Sequence, residues 1–286
     1  MADSTDQHSL MREWYAQPQY RPFSLIHDDD DADRPAILMI HGFTGSPDEL
    51  RGIARIAFDA GFDVEVMLLP GHGADIAHFP DVTRHDWLRA AREAWSDLRA
   101  RCRRCFLVGY SLGGALAIHL AAEHPPEAML LLAPLVRIAD RRAFALPLIQ
   151  RLVPRVKPFS RLDLEQPEVR EFFETSLPGI EMDRPEVQEA LREEYVMPLR
   201  LVNEARIVGR EARRLAPKVV PPATIIQGRP DGIIGYRNSR WLVDHFGGPV
   251  RYHEIPGNHL IPFVGAASWP AVAELVTAVF ARWRCP

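Results

Sequence analysis

Three side chains stand out as able to do chemistry together: a serine between glycines, a carboxylate just past an apolar run, and a late histidine. Ser111 lies in Gly109-Tyr110-Ser111-Leu112-Gly113-Gly114, behind the apolar run 105–108 and ahead of the Ala/Leu-rich stretch 115–122. A strand feeding a helix through a glycine-flanked serine is a nucleophile elbow. The serine is held in strained backbone, and a Cβ at either flank would collide with the strand or the helix. Close packing of a helix on a sheet is the plainer reading of such small residues, but the context matches on both sides and favours a nucleophile.

A serine hydroxyl is a poor nucleophile at neutral pH and needs a neutral imidazole within reach to take its proton. Among 11 histidines, His259 follows the last strand, in Pro256-Gly257-Asn258-His259-Leu260. Asp231, in Gly228-Arg229-Pro230-Asp231-Gly232, stands just past the strand expected at 223–228, where an acid can fix the tautomer of the base. Asp244 is the reserve acid, but it falls inside a helix expected at 236–246 and should point elsewhere. Acyl transfer also needs donors for a developing oxyanion. His41-Gly42-Phe43-Thr44-Gly45-Ser46-Pro47 follows the strand at 36–40, and the Phe43 and Leu112 N–H groups are the expected pair. Read plainly, His-Gly is only a tight strand-to-helix turn. His72, early in the chain in Leu69-Pro70-Gly71-His72-Gly73, is read as a structural loop residue. This chemistry requires no metal and no cofactor.

The elements that must position these groups follow from the hydrophobic pattern. Strands are expected at 22–26, 36–40, 62–69, 105–108, 128–133, 223–228 and 250–255. Helices are expected at 48–59, 84–101, 115–122, 236–246 and 269–283. Continuous apolar strands alternating with helices predict an α/β fold, a mostly parallel sheet flanked by helices, with ligands outside the carboxyl ends of its strands. Between 135 and 215 the alternation stops, and seven prolines cut the segment into helical pieces at 144–153, 168–176, 185–194 and 199–215. The expected organisation is a tail at 1–21, a core at 22–134 and 216–286, and a helical lid at 135–215. Phe144, Leu148, Phe172 and Phe173 of the lid are candidates for an acyl pocket, with plain packing as the competing role of each. The first twenty residues are expected to be mobile, with Trp14 and Tyr15 as docking points.

Composition sets bounds around this picture. The chain has 286 residues, is 47% apolar and 25% charged, and carries a formal charge of −4, as an ordinary globular protein does. Its arginines are scattered among acids, which speaks against nucleic acid as a partner. No apolar run approaches the roughly 20 residues of a membrane span, and residues 1–19 lack the apolar core of a signal peptide, so a cytoplasmic location without membrane insertion is expected. Cys102, Cys105 and Cys285 are odd in number and read as reduced structural residues. The aspartates at 28–31 read as a solvated turn, because no glycine-spaced calcium loop surrounds them. Nothing in the sequence speaks to the oligomeric state.

The serine elbow, the His41 loop, the Pro70-Gly71-His72-Gly73 loop, Gly228-Arg229-Pro230-Asp231 and Gly257-Asn258-His259 together resemble the α/β-hydrolase superfamily. More narrowly they resemble its bacterial carboxylesterase and monoacylglycerol-lipase branch, from residue 22 to the C-terminus and most weakly over the lid. The resemblance implies the α/β-hydrolase fold with a helical lid inserted after the strand that follows the nucleophile helix. It implies Ser111, Asp231 and His259 as the triad and Phe43 and Leu112 as oxyanion donors. The implied activity is hydrolysis of short- to medium-chain acyl esters, monoacylglycerols among them, through an acyl-enzyme. A thioesterase or aminopeptidase-type amidase uses the same triad, and a non-catalytic ligand-binding protein is the reading from another class. Two positions depart from the branch. Asn258 precedes the histidine, and Gly232-Ile233-Ile234-Gly235 follows the acid in place of a less glycine-rich turn with valine.

Overall fold

Residues 9–28, 31 and 33–284 are described by the computed structural model. The chain enters through a short helix, α1 (Leu10–Tyr15), and runs through β1 (Phe23–Leu25), β2 (Ala36–Ile40), α2 (Arg51–Asp59) and β3 (Asp63–Met67). It continues through α3 (Arg84–Arg101), β4 (Cys105–Tyr110), α4 (Leu112–Glu123) and β5 (Met129–Leu132). The long proline-divided segment holds α5 (Leu146–Leu152), β6 (Arg155–Val156), α6 (Pro167–Ser176), α7 (Pro185–Glu193), β7 (Met197–Pro198) and α8 (Leu199–Leu215). Then come β8 (Ala223–Arg229), α9 (Tyr236–Arg240), β9 (Val250–Pro256) and α10 (Trp269–Arg284).

Seven strands form one sheet in the order β1-β3-β2-β4-β5-β8-β9. Only the edge strand β1 runs antiparallel, against β3, and every other pairing in this sheet is parallel. β4 lies at the centre, with Gly109 in register between Ile40 of β2 and Leu131 of β5. The two-residue period of a strand divides the interior. Leu38 and Ile40 pack with Trp87 of α3 and Leu116 of α4, whereas Ile37 and Met39 pack with Ile53 of α2 and Phe280 of α10. Both faces of β2 are therefore covered, which is why it reads as an unbroken apolar run.

The segment from 135 to 215 departs from expectation in two ways. α8 was expected in the lid but packs on α4: Val208 is fully buried, its carbonyl lies 3.2 Å from Nε2 of His119, and a Cβ on Gly209 would press on the Leu135 carbonyl. Leu135 and Val136 are buried in the same core, whereas Leu164, Phe173, Val187 and Leu191 belong to a separate cluster. β6 and β7 also pair, Arg155 with Pro198, where only helices were expected. Two-residue strands forty positions apart leave no periodic trace in a sequence.

The N-terminal residues were expected to be mobile apart from docking by Trp14 and Tyr15, and the whole of α1 is docked. Met11, Tyr15 and Tyr20 are buried in a satellite core with Phe173 of α6 and Leu191 of α7. Ser9 caps α1 through the Arg12 N–H, and its hydroxyl donates to Glu194 at 2.8 Å. The helix expected at 236–246 is split into α9 and a tighter turn at 241–244. No described helix is long and apolar enough to cross a membrane. Asp29, Asp30 and Cys285 lie outside the described residues.

Candidate active site

The parallel strands carry three groups to one rim of the sheet. β4 ends at Tyr110, and the next residue, Ser111, adopts φ 51° and ψ −112°, a conformation costing a non-glycine residue about 1–3 kcal/mol. The surrounding backbone holds it there: the Ser111 N–H donates to Leu132 O at 2.9 Å, and the Ser111 carbonyl accepts from Leu135 at the same distance. Glycines make the turn possible. A Cβ on Gly109 would run into Gly113, and one on Gly113 would run into the Ile40 and His41 carbonyls.

β8 leads to Asp231 and β9 to His259. Nε2 of His259 lies 3.0 Å from the Ser111 Oγ, and its Nδ1 lies 2.7 Å from Oδ2 of Asp231. Asp231 Oδ2 also accepts from Gln227 Nε2 at 2.9 Å, and Oδ1 accepts from the Ile233 and Ile234 amides at 2.8 Å each. Burial pushes the Asp231 carboxyl upward, but the hydrogen bond and charge of His259 and the two amides outweigh it and hold the group below its usual value. The glycine-flanked turn after Asp231 thus supplies two of its donors. Asn258 closes a local turn by accepting the Leu260 N–H at 2.9 Å. The Tyr110 hydroxyl donates to the His259 carbonyl at 2.9 Å, fixing the same loop from below. Asp244 is exposed in the turn after α9 and has no part in this network.

The loop between β2 and α2 closes the other side. The Phe43 amide has no hydrogen-bond partner among the described residues, and Leu112 opens α4, where first-turn amides lack a partner within the helix. Two buried histidines pin this loop. Nδ1 of His41 donates to Gly42 O at 2.9 Å while its Nε2 accepts the Leu69 N–H at 3.0 Å. Nε2 of His72 accepts the Thr44 N–H at 3.1 Å while its Nδ1 donates to Pro70 O at 3.0 Å. Each ring must be neutral to accept an amide. Burial holds His41 well below its usual value and takes His72 down to about 4. A third anchor is Glu49, whose Oε2 accepts the Gly42 N–H at 2.8 Å and whose carboxyl burial pushes up to about 8.

A cavity of about 150 Å³ opens over these groups, bounded by Tyr15, Phe43, Glu49, Phe172, Phe173, Tyr195 and His259 among others. Phe172 and Phe173 thus sit at the wall where an acyl pocket was expected. Phe144 and Leu148 do not. They are 80% and 67% exposed, and Phe144 borders a separate depression beside Arg206 and Arg210. α5 packs against α8. Sequence reasoning missed Glu49, Gln227 and Tyr110, whereas Tyr15 is docked as expected. Asp48-Glu49 looks like an ordinary charged helix start, and nothing local shows that the second carboxyl turns inward. Cys102 and Cys105 are free thiols far from this chemistry, with burial pushing Cys105 up to about 11.

The sheet order and the strained serine at the end of β4, met by groups from the ends of β8 and β9, define an α/β-hydrolase. The family model Hydrolase_4, serine aminopeptidase S33, matches residues 31–259, and the chain belongs to this family. A thermostable monoacylglycerol lipase from Bacillus sp. (strain H-257) is 38% identical over 89 residues, and the match spans about a third of each protein: 31% of this chain and 36% of the lipase. A pimeloyl-[acyl-carrier protein] methyl ester esterase from Chromobacterium violaceum is 29% identical over 247 residues, 80% of this chain and 89% of its own length. A solved structure from work on the metagenome-derived lipolytic enzymes LipS and LipT aligns over 93% of this chain and 98% of its own. Its TM-score is 0.68 at 24% identity, a likeness of fold.

Proposed function

We propose that this protein is a serine hydrolase that cleaves short- to medium-chain carboxylic esters, monoacylglycerols among them, through an acyl-enzyme. The observation that carries the reading is the unbroken hydrogen-bonded line from Asp231 through His259 to the Ser111 hydroxyl, with His259 in the wall of an aromatic-lined cavity. Nδ1–H of His259 donates to Asp231, leaving Nε2 to take the serine proton as Oγ attacks the ester carbonyl carbon. The negative charge that develops on the carbonyl oxygen is received by the Phe43 and Leu112 N–H groups. Collapse of the tetrahedral intermediate expels the alcohol, which takes its proton from His259. A water molecule then repeats the sequence on the acyl-serine, giving up a proton to His259 and releasing the acid. The segment 135–198 serves as a lid in this reading, with Phe172 and Phe173 as part of the acyl wall.

Ester is favoured over amide and thioester by the lipase and the esterase among the relatives. Initial rates on p-nitrophenyl esters of increasing chain length, monoacylglycerols, acyl-thioesters and aminoacyl amides test this directly. The expected result is turnover of the butyrate-to-decanoate esters and of monoacylglycerols. Turnover of aminoacyl amides or thioesters with the esters untouched would transfer the same triad to another acyl donor.

A further inference from the structure

Glu49 takes no part in the steps above, yet it is the one carboxyl group among the described residues lining the cavity. The side chain is 9% exposed and makes no ion pair among the described residues. Loop glycines make room for it. A Cβ on Gly45 would overlap the carboxyl group, and one on Gly42 would stand 3.3 Å from Oε2. Oε2 is taken by the Gly42 N–H, one peptide away from the Phe43 amide, while Oε1 has no hydrogen-bond partner among the described residues. The groups facing it are phenols: Tyr15 of α1, Tyr20 before β1, Tyr110 of β4 and Tyr195 before β7. Asp48 beside it adds like charge, His41 and His72 pin the same loop as neutral rings, and His259 stands across the cavity. A carboxylate buried here would be uncompensated, so the protonated form is the stable one.

We propose that Glu49 is a positioning and specificity residue that works as a neutral carboxylic acid. Its Oε2 holds the His41–Gly42 peptide, one peptide before the Phe43 amide, and the proton on Oε1 is offered to an uncharged oxygen of the substrate. The inference rests on the hydrolase reading and narrows it to esters that place a hydroxyl, ether or carbonyl oxygen, and no anion, against the β2–α2 loop. Ionisation removes that donor and sets a negative charge beside the developing oxyanion, so the chemical step slows. The direction agrees with burial raising this carboxyl to about 8. The phenols are not candidates for the same titration: Tyr20 is raised to about 12, and Tyr15, Tyr110 and Tyr195 are also raised.

The test is the pH dependence of kcat and KM for a p-nitrophenyl ester between pH 7 and 9.5, with fluorophosphonate labelling of Ser111 followed over the same range. Wild-type kcat is expected to fall at least tenfold with a midpoint near 8. Glu49→Gln offers the same acceptor to Gly42 and a permanent donor to the cavity. It should keep at least a third of the pH 7 rate and hold it to pH 9.5. Glu49→Leu should lose tenfold or more at every pH with no slope. A flat wild-type profile, or the same fall in Glu49→Gln, overturns the role of Glu49 while labelling stands. The wild-type profile alone decides if a variant does not fold. A folded protein that takes no label at any pH overturns the hydrolase reading, and this inference with it.

Discussion

Asp231 gathers four hydrogen bonds on one carboxylate, and what they hold in common is orientation. Two backbone amides and Gln227 leave it a single direction in which to accept the imidazole N–H. Asp231→Asn preserves the shape but invites the wrong imidazole tautomer. We expect kcat to fall about 10³- to 10⁴-fold with KM within threefold, measured on a soluble ester. The cavity wall makes a second residue-level distinction. Phe173 is buried at 1% exposure and touches both Phe159 and Phe172, so Phe173→Ala should raise KM for medium-chain esters about tenfold. Phe144→Ala and Leu148→Ala, on the exposed face of the same segment, should leave KM within twofold. Equal effects from the two sets would mean that the acyl wall lies elsewhere.

The decisive element is the strand-turn-helix unit β4–α4, because it alone holds the expected nucleophile and one expected oxyanion donor. Its close approach to β2 depends on Gly113, and Gly113→Ala is expected to destabilise the fold by at least about 3 kcal/mol in urea denaturation and to abolish ester turnover. A stable, active variant would show that β2 and the helix do not need to meet so closely. This unit was also the most legible part of the sequence, since a glycine-flanked serine between an apolar strand and an apolar helix is a local pattern. The order of Ser111, Asp231 and His259 was legible for a related reason: each follows a strand, and a parallel sheet brings strand ends to one rim. The insertion was not legible at that level. Proline spacing marked its pieces, and α8 matched its expected limits of 199–215, but whether an amphipathic helix covers the core or the cavity depends on long-range packing. α8 went to the core, α6 to the cavity, and α5 to the surface. Tyr15 was legible as a docking point of the N-terminal stretch, but its partners were not, since Phe173 and Leu191 lie far along the chain.

At the scale of the whole molecule, His72 and Glu49, the buried groups that pin the β2–α2 loop, tie stability to pH in opposing directions. His72 is lowered in the folded state from 6.5 to about 4. Its contribution is present above the unfolded value and is lost as pH falls from about 6.5 towards 4. Glu49 is raised in the folded state from 4.5 to about 8, so its contribution is fully present below the unfolded value and is lost as pH rises from about 4.5 through 8. On acidification from pH 7 to pH 5 the two oppose each other. Wild type should therefore change stability less over this interval than Glu49→Gln, in which only the histidines respond. The difference between the two proteins should amount to about 2 kcal/mol in denaturation midpoints converted to free energy. Parallel pH profiles would mean that Glu49 is ionised in the folded protein.

The account turns on Ser111 being an activated nucleophile with His259 as its base, and the most direct measurement is the site and rate of covalent capture. The folded protein is treated with a fluorophosphonate at pH 7.5, digested, and mapped by mass spectrometry. The expected result is one phosphonylated peptide, carrying the adduct on Ser111, absent from Ser111→Ala and formed at least 10³-fold more slowly in His259→Ala. An adduct on another residue, or labelling of Ser111 at an undiminished rate without His259, would contradict it.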